Sequence, residues 1–553
     1  MASKRIRWAP SKFSRVIGVG FVLAIAAASL SAQPKKNGIA NKNAGATLSR
    51  PPIANHSLLL HADNLIGTNS IRFLADSRTL VTTGPFGTVR YWDWRTGQTV
   101  KAFRGHLFVA VSPDGKYLAS KDGYSSTVLK IWDCDAKKEI ARLDVPYGLM
   151  AFRFSPCGKF LAISGGTANN KFDDPPLRLH EIATGKVVQT FPLRWTLRAL
   201  VFTPDGKRII TTHDYAQTRF LQVWDVETGK ELRHLEGAFF TSSQEYLQTS
   251  PDGNLLVGVS PGIRVWDLQT GKEKWFNRTG DPPNLCVDGI TACDFSPNGH
   301  MILVGAYRGP RAKLRGAKAS VYLFETATGK IRARFDGGEN VRSAAFSPCG
   351  RLCGTINLHW GVNIWDPTDL VRHAGKPAPD LVTETLNDQW HALASQVGEV
   401  SWKAVTTLAV RPEQTATLFK KRLRVNVTLD QKMVDKLVSE FDSTDFNVCE
   451  KAMNHLIDMG REVEPVLQKV RSNALSPRAK NCLAELLDPS ASGRIAVEEL
   501  RHLRALETLE YIGNPKAIGL LKTIAGGAPG GQRTRDAKAA LGRVLKRVPP
   551  STR

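Results

Sequence analysis

Residues 202–206 read Phe-Thr-Pro-Asp-Gly and residues 221–230 read Leu-Gln-Val-Trp-Asp-Val-Glu-Thr-Gly-Lys, and these two stretches decide the fold. The first is the end of an apolar strand followed by a turn, because proline in the second turn position and glycine in the fourth favour a type I turn. The second is an apolar strand that ends on Trp-Asp and runs into Thr-Gly-Lys, where glycine suits a tight reversal. Both stretches indicate β-strands joined by tight turns.

Both marks recur in the same phase along the middle of the chain, and such repetition determines the architecture. The Trp-Asp pair or a near substitute stands at Trp92-Asp93, Trp132-Asp133, His180-Glu181, Trp224-Asp225, Trp266-Asp267, Phe324-Glu325 and Trp365-Asp366. The proline-glycine turn stands at residues 112–115, 155–158, 203–206, 250–253, 296–299 and 347–350. Asp76-Ser77 takes the equivalent place in the first copy without proline or glycine, so that turn is degenerate.

Each copy offers about four short strands whose inner members are apolar on both faces, so no copy can bury both faces alone. Radial stacking of the copies solves this problem, and a Trp-Asp mark with a period of about 40–45 residues is typical of a β-propeller. On these marks the chain resembles the WD40 repeat family over residues 55–373. The resemblance implies an all-β propeller of seven blades, in which the strand near residues 56–60 completes the last blade and closes the ring.

The copies differ mainly in three long connections, at residues 165–176, 277–289 and 308–318, which open on one face of a propeller. Lengthened loops on a rigid scaffold commonly carry binding function. The loop at 308–318 contains five cations and no acid, so it is the candidate contact for an anionic partner. These cations are Arg308, Arg311, Lys313, Arg315 and Lys318. The alternative is a solvated loop without a partner.

The tail at residues 381–548 shows apolar residues at helical spacing, after a Pro-rich hinge at 374–380. Ser476-Pro477 and Asn514-Pro515 indicate helix starts, and glycines 460, 513 and 526 stand where left-handed terminations are expected. We predict about nine helices of about 10–16 residues. The segments at 441–446, 456–460, 464–465 and 506–515 resemble the HEAT-like helical tail that some bacterial proteins carry after a WD40 propeller. The resemblance implies an all-α domain with an extended surface for a partner.

One stretch between two predicted helices resembles a calcium-binding EF-hand loop. Asp488, Ser490, Ser492 and Glu499 take its first, third, fifth and twelfth positions. Only two of the four are carboxylates, so a plain linker with Ser492 capping the next helix explains the same residues. We therefore predict no metal and no other cofactor.

The N-terminus indicates export. Residues 4–15 carry five cations and no acid, and an apolar run from Val16 to Leu30 follows. This is the pattern of a signal peptide, predicted at 1–32, with a flexible linker at 33–54. An uncleaved anchor is the alternative, and either form places the protein in the periplasm, outside the cell or at the envelope. No transmembrane segment is expected after cleavage.

The chain has 553 residues, of which 42% are hydrophobic and 23% charged, and this composition excludes a disordered or collagen-like chain. Its net charge of +24 permits anionic partners, although no specific nucleic-acid motif is present. No catalytic motif is evident. The sequence therefore predicts a non-catalytic scaffold that binds proteins, with an anionic polymer or envelope surface as a further partner. An enzyme or calcium-dependent protein with a site not visible in sequence is the alternative.

Overall fold

The protein is described here from a computed structural model. The structure describes residues 57–61, 70–83, 88–103, 107–121, 123, 126–145, 149–165, 176–193, 196–215, 218–235, 246–259, 262–278, 287–310, 320–338, 340–357, 361–371, 373, 377–423, 431–459, 463–471, 475–487, 494–527 and 531–547. The predicted signal peptide at 1–32 lies outside these residues.

Within these ranges, twenty-eight strands form seven antiparallel sheets of four strands each. The strands are β1 (Ser57–His61), β2 (Ser70–Phe73), β3 (Thr79–Thr83), β4 (Val89–Asp93), β5 (Gln98–Phe103), β6 (Leu107–Val111), β7 (Tyr117–Lys121), β8 (Val128–Asp133), β9 (Lys138–Asp144), β10 (Leu149–Phe154), β11 (Phe160–Gly165), β12 (Leu177–Glu181), β13 (Val187–Phe191), β14 (Thr196–Phe202), β15 (Arg208–Tyr215), β16 (Thr218–Asp225), β17 (Glu231–Leu235), β18 (Tyr246–Thr249), β19 (Leu255–Val259), β20 (Gly262–Asp267), β21 (Glu273–Arg278), β22 (Gly289–Phe295), β23 (Met301–Tyr307), β24 (Val321–Glu325), β25 (Ile331–Phe335), β26 (Val341–Phe346), β27 (Cys353–Asn357) and β28 (Gly361–Trp365).

Blades 1 to 6 each use four consecutive strands, from β2–β5 in blade 1 to β22–β25 in blade 6. Blade 7 combines β26, β27 and β28 with β1 from the start of the propeller. Ser57 pairs with Trp365 and His61 pairs with Gly361 in antiparallel register. The predicted seven blades and the predicted closure of the ring are therefore confirmed.

The tryptophan of the Trp-Asp mark is buried and makes a hydrogen bond inside its own blade. The indole nitrogen of Trp365 donates to the hydroxyl of Thr355 on the neighbouring strand, at 3.0 Å. Blades 1, 2 and 4 repeat this bond at 2.9, 3.1 and 2.8 Å. In blade 6 the ring is Phe324, which cannot donate, and the residue in the place of the hydroxyl is Val304. Blade 6 thus lacks both the indole donor and the hydroxyl, so no buried hydroxyl is left without a partner.

The proline-glycine turns have the predicted geometry. In the turn of blade 4, the Gly206 N–H donates to the Thr203 carbonyl at 2.8 Å, and Gly206 has a φ of +72°. The Thr203 hydroxyl donates to the Asp205 carboxylate at 2.6 Å, so the acid of the turn also has a partner. In the degenerate turn of blade 1, Ser77 adopts a φ of +53°, in the left-handed region that favours glycine.

The C-terminal region contains ten α-helices among the residues described, one more than predicted. They are α1 (Thr383–Ala392), α2 (Gly398–Ala409), α3 (Pro412–Arg422), α4 (Gln431–Ser439), α5 (Phe446–Met459), α6 (Glu464–Arg471), α7 (Pro477–Leu487), α8 (Arg494–Ile512), α9 (Pro515–Ala525) and α10 (Gln532–Arg547). A short 3-10 turn, Glu440–Asp442, follows α4.

Several helix ends match the sequence expectations and one does not. The Asn514 side chain accepts the N–H of Ala517 at 2.9 Å, and the Ser476 hydroxyl accepts the N–H of Ala479 at 3.0 Å, so both predicted N-caps are confirmed. Gly513 ends α8 with a φ of +61°. Gly526 has a φ of −83°, so the predicted left-handed termination there is wrong. Two N–H groups at this helix end still find carbonyl partners in the last turn.

The helices belong to two hydrophobic cores. Helices α1–α3 and α8–α10 share a core with blades 6 and 7, in which Trp402 and Leu509 join Leu323 and Trp365. Helices α4–α7 form a second core of their own. We call the first group the docked helices and the second group the satellite helices. The resemblance to HEAT-like tails stays a prediction.

Candidate interaction surfaces

The docked helices contact the propeller at the outer strand of blade 6. Helix α2 begins at Gly398, and glycine is required at this close approach because a Cβ atom there would clash with the carbonyl oxygen of Ile331 on β25. Trp402, one turn further along α2, lies beneath the guanidinium of Arg332, whose central carbon is 5.2 Å from the ring centroid. The helix therefore packs directly on the strand that would otherwise form the rim of the blade.

Four charged side chains are buried at this junction and form one network, and each is at most 2% exposed. Arg332 on β25 binds Glu325 of its own blade at 2.6 Å and Glu507 on α8 at 2.8 Å. Arg504, also on α8, binds the second oxygen of Glu325 at 2.8 Å. Arg504 also donates to the carbonyl oxygen of Leu393 after α1, at 2.6 Å.

The two arginines and the two glutamates of this network neutralise one another, and this favours the charged forms of Glu325 and Arg332. Burial alone would raise the pKa of Glu325, but Arg332 and Arg504 outweigh burial and hold that pKa well below its usual range. Burial would lower the pKa of Arg332, and the carboxylates of Glu507 and Glu325 raise it instead. Removal of one partner would leave an uncompensated buried charge, so the four residues act as a lock between propeller and helices.

The sequence patterns do not indicate this lock. Glu325 stands in sequence as a near substitute for the aspartate of the Trp-Asp mark, and Arg332 is one of many charged residues on outer strands. Blade 6 departs from Trp-Asp to Phe-Glu at both positions, but blade 3 also departs at both positions, to His180-Glu181. The departure alone therefore does not identify the blade on which the helices dock.

The propeller has two faces, which we name by their connections. The turn face carries the proline-glycine and Thr-Gly-Lys turns, and the loop face carries the long connections. On the turn side, Arg351 after the last proline-glycine turn donates to the carbonyl oxygen of Tyr511 on α8, at 3.1 Å. A cavity of about 740 Å³ lies between the turns of blades 1 and 7 and helices α8 and α10. Arg543 in its wall binds Glu510 at 2.8 Å.

A central channel of about 660 Å³ runs along the innermost strands of all seven blades. Its wall includes the charged residues Arg72, Arg153 and Asp294. Asp294 accepts the N–H of Phe346 at 2.8 Å, and burial raises its pKa to about 6. Burial and the charge of Arg72 lower the pKa of Arg153 to about 10.

The predicted basic loop is described only at its first cation. Arg308 is 15% exposed, and its guanidinium lies 3.5 Å from the carboxylate of Asp336 on the loop face. The other four cations lie outside the described residues, namely Arg311, Lys313, Arg315 and Lys318. The charge of Arg308 is thus paired with that of Asp336 within the molecule. An anion contact by this loop stays a prediction.

The EF-hand-like stretch is described only at Glu499, which lies in α8 and is 13% exposed. Its carboxylate binds Arg533 on α10 at 2.7 Å. The other three positions, Asp488, Ser490 and Ser492, lie outside the described residues. In the part of the chain that the structure describes, no cluster of three or more His, Cys, Asp or Glu side chains could hold a metal ion.

Comparison with known proteins bears on the propeller. The WD40 family, "WD domain, G-beta repeat", matches residues 97–133. Nuclear distribution protein PAC1 of Arthroderma otae is 28% identical over 197 residues, which cover 34% of this chain and 41% of that protein. Autophagy-related protein 16 of Arabidopsis thaliana is 25% identical over 211 residues, with coverages of 37% and 39%. The chain thus spans about two fifths of the length of these relatives.

One solved structure is also similar, a chain of Kuenenia stuttgartiensis hydrazine synthase. It has a TM-score of 0.45 and 18% identity, and the match covers 55% of this chain and 97% of that chain. Nothing about function follows from a likeness at this level. The matched repeat and the seven four-stranded blades support a WD40-type β-propeller.

Proposed function

We propose that the protein is a non-catalytic interaction scaffold with two protein-binding surfaces, the loop face of the propeller and the outer surface of the helical region. The observation that carries the proposal is the buried lock of Arg332, Glu325, Arg504 and Glu507, which fixes the docked helices on blade 6. Because of this lock, a partner on one surface is held at a set position relative to a partner on the other.

The relatives support a scaffold. WD40 propellers typically bind protein partners. The printed names of the relatives are "nuclear distribution protein" and "autophagy-related protein", and neither name describes a catalytic activity. Among the residues described, no helix is long and apolar enough to span a membrane.

The finer features of the proposal rest on sequence alone. We propose export on the pattern of residues 1–32 and an anionic protein or polymer as the partner of the loop at 308–318. Opposite charges attract over about 8 Å at physiological ionic strength, so this contact must weaken as salt is added.

The test is capture of partners from native envelope extract by two charge-reversal variants. The first carries Arg311→Glu, Lys313→Glu and Arg315→Glu, and it leaves Arg308 in place because that residue pairs with Asp336. The matched control carries the same charge change on the turn face, at three exposed lysines. These substitutions are Lys207→Glu, Lys230→Glu and Lys272→Glu.

We expect the wild type and the control to capture the same proteins at low salt, and the first variant to lose them. Capture that is equal for all three chains and independent of salt would place the binding surface away from this loop. Turnover of any substrate in a broad hydrolase screen, abolished by substitution of one acid or histidine, would overturn the non-catalytic proposal.

A further inference from the structure

A cavity of about 760 Å³ lies where the satellite helices meet the docked helices. Helix α5 supplies one wall through Asn454 and Ile457, while α1, α3, α8 and α10 supply the rest. Ligand cavities of about 300–1,000 Å³ occur preferentially at such interfaces between packed units. Neither the scaffold function nor the lock at blade 6 uses this cavity.

The lining of the cavity is strongly basic. Lys421 and Arg422 come from the last turn of α3, Arg501 from α8 and Arg533 from α10. Two carboxylates oppose these four cations: Glu498 in the lining, which pairs with Arg501, and Glu499 behind it, which pairs with Arg533. A surplus of two positive charges remains among the described residues.

Two buried nitrogen atoms in this wall have no hydrogen-bond partner. One is Nε of Arg501, which can only donate. The other is Nε2 of His502, whose side chain is 7% exposed. Burial and the nearby charge of Arg533 lower the pKa of His502 to about 3, so its ring is neutral at physiological pH. A buried polar atom without a partner costs about 1–3 kcal/mol.

The lining also contains apolar side chains, namely Trp390, Leu423, Ile457 and Val497. The Trp390 ring is 7% exposed, and the Arg501 guanidinium lies over it, with its central carbon 5.4 Å from the ring centroid. Phe419 packs against the same ring in an edge-to-face contact, with the ring centroids 5.6 Å apart. A cavity lined by both cations and apolar side chains suits a ligand with a charged end and an apolar end.

We propose that this cavity binds a small phosphate monoester with an apolar body. The phosphate group carries about −1.5 to −2 charges at neutral pH, which matches the surplus of two positive charges. Its oxygens can accept hydrogen bonds from Lys421 and Arg422 in the lining, and guanidinium groups suit phosphate geometry. The apolar body would lie against Trp390 and Ile457. Such a ligand would join α5 of the satellite helices to the docked helices.

The experiment is isothermal titration of the full chain with three probes: phenyl phosphate, inorganic phosphate and phenol. Phenyl phosphate has both the head and the body, whereas each of the other two has only one. We expect phenyl phosphate to bind about tenfold more tightly than inorganic phosphate, and phenol to give no detectable binding. Binding of phenyl phosphate should also raise the melting temperature.

The matched variants are Lys421→Glu, in the lining, and Lys420→Glu, the exposed residue beside it on α3. Both lysines lie at the surface, so both variants should fold. We expect Lys421→Glu to weaken phenyl phosphate binding about tenfold or more and Lys420→Glu to change it less than twofold. Absence of phenyl phosphate binding, equal loss in both variants, or phenol binding as tight as phenyl phosphate binding would each overturn the proposal.

Discussion

The propeller and the junction with the docked helices are held together in opposite ways. Blades 1, 2, 4 and 7 repeat one hydrogen bond from a tryptophan indole to a hydroxyl, such as the bond from Trp365 to Thr355. The junction relies on one network of four buried charges, in which Arg332 and Glu507 stand 175 residues apart in sequence. A repeated bond can change in one blade without loss of the ring, whereas a single network has no spare copy.

The largest effect is expected from Glu325→Ala. This substitution leaves Arg504 without its carboxylate partner and Arg332 with only one, and loss of one member of a buried ionic group costs about 3–5 kcal/mol. Urea denaturation followed by circular dichroism measures the free energy of unfolding. The control is Glu399→Ala, which breaks the exposed pair of Glu399 with Arg334 between the same strand and α2. That loss should stay below about 1 kcal/mol. Equal losses in the two variants would contradict the special role of the buried network.

Asp294 in the channel and Glu325 in the lock should affect the pH dependence of stability in opposite directions. Asp294 titrates near pH 6 in the folded chain and near pH 4 when unfolded, so the folded chain binds the proton more tightly. Its contribution to the free energy of unfolding therefore falls by about 2 kcal/mol as the pH rises from about 4 to 6. Glu325 has a lowered pKa, so its contribution is present above about pH 4 and is lost at lower pH.

Urea denaturation of Asp294→Asn at pH 4, 5, 6 and 7 tests this expectation. The variant keeps an oxygen for the N–H of Phe346 and cannot titrate. The free energy of unfolding of the variant, minus that of the wild type, should therefore rise by about 2 kcal/mol as the pH rises from 4 to 6. Parallel pH profiles for the two chains would show that Asp294 does not carry the shift.

A smaller loss is expected in the repeated bond of the blades. Trp365→Phe leaves the hydroxyl of Thr355, which is fully buried, without its donor, at a cost of about 1–2 kcal/mol. Blade 6 already contains the corresponding pair without this bond, Phe324 and Val304. The double variant Trp365→Phe with Thr355→Val should therefore recover at least half of the loss. A double variant less stable than the single one would show that the hydroxyl bond is not what Trp365 contributes.

The smallest effect is a gain. Lys137 in blade 2 has a φ of +52°, at a turn position where the equivalent residue of blade 4 is Gly229 with a φ of +68°. Lys137→Gly removes this strain, which exceeds the entropic cost of glycine in the unfolded chain by a few tenths of a kcal/mol. Because the unfolding entropy scales with chain length, we expect a rise in melting temperature of only about 0.3–0.5 °C by calorimetry. Lys137→Ala keeps the strain and should give no rise.

Most of the propeller could be predicted because its determinants are local and repeated. A proline and a glycine two residues apart specify a turn, and Trp-Asp marks the third strand of a blade, so the copies align without knowledge of the fold. The helix caps at Ser476 and Asn514 were predictable for the same reason. The ending at Gly526 was not, because a right-handed termination leaves a weak signal in sequence.

The lock and the basic cavity could not be predicted, because their residues meet only through tertiary packing. Arg504 and Glu507 stand three residues apart on α8, a spacing that is equally common on a solvated helix face. Their burial depends on Arg332 and Glu325, which lie in another part of the chain. The cavity combines Lys421, Arg501 and Arg533 from three helices, and no period in the sequence connects them.

Closure of the ring through β1 has a consequence for the order of folding. Ser57 must wait for Trp365, so roughly 300 residues have to be synthesised before blade 7 can be completed. The entropic cost of such a long loop grows only slowly with length, but long-range pairing is slow to form. Until then β1 has no partner strand and presents unpaired backbone groups to other chains. This N-terminal strand is thus where a growing chain is exposed to aggregation, and a chaperone that covers it would protect the ring until blade 7 closes.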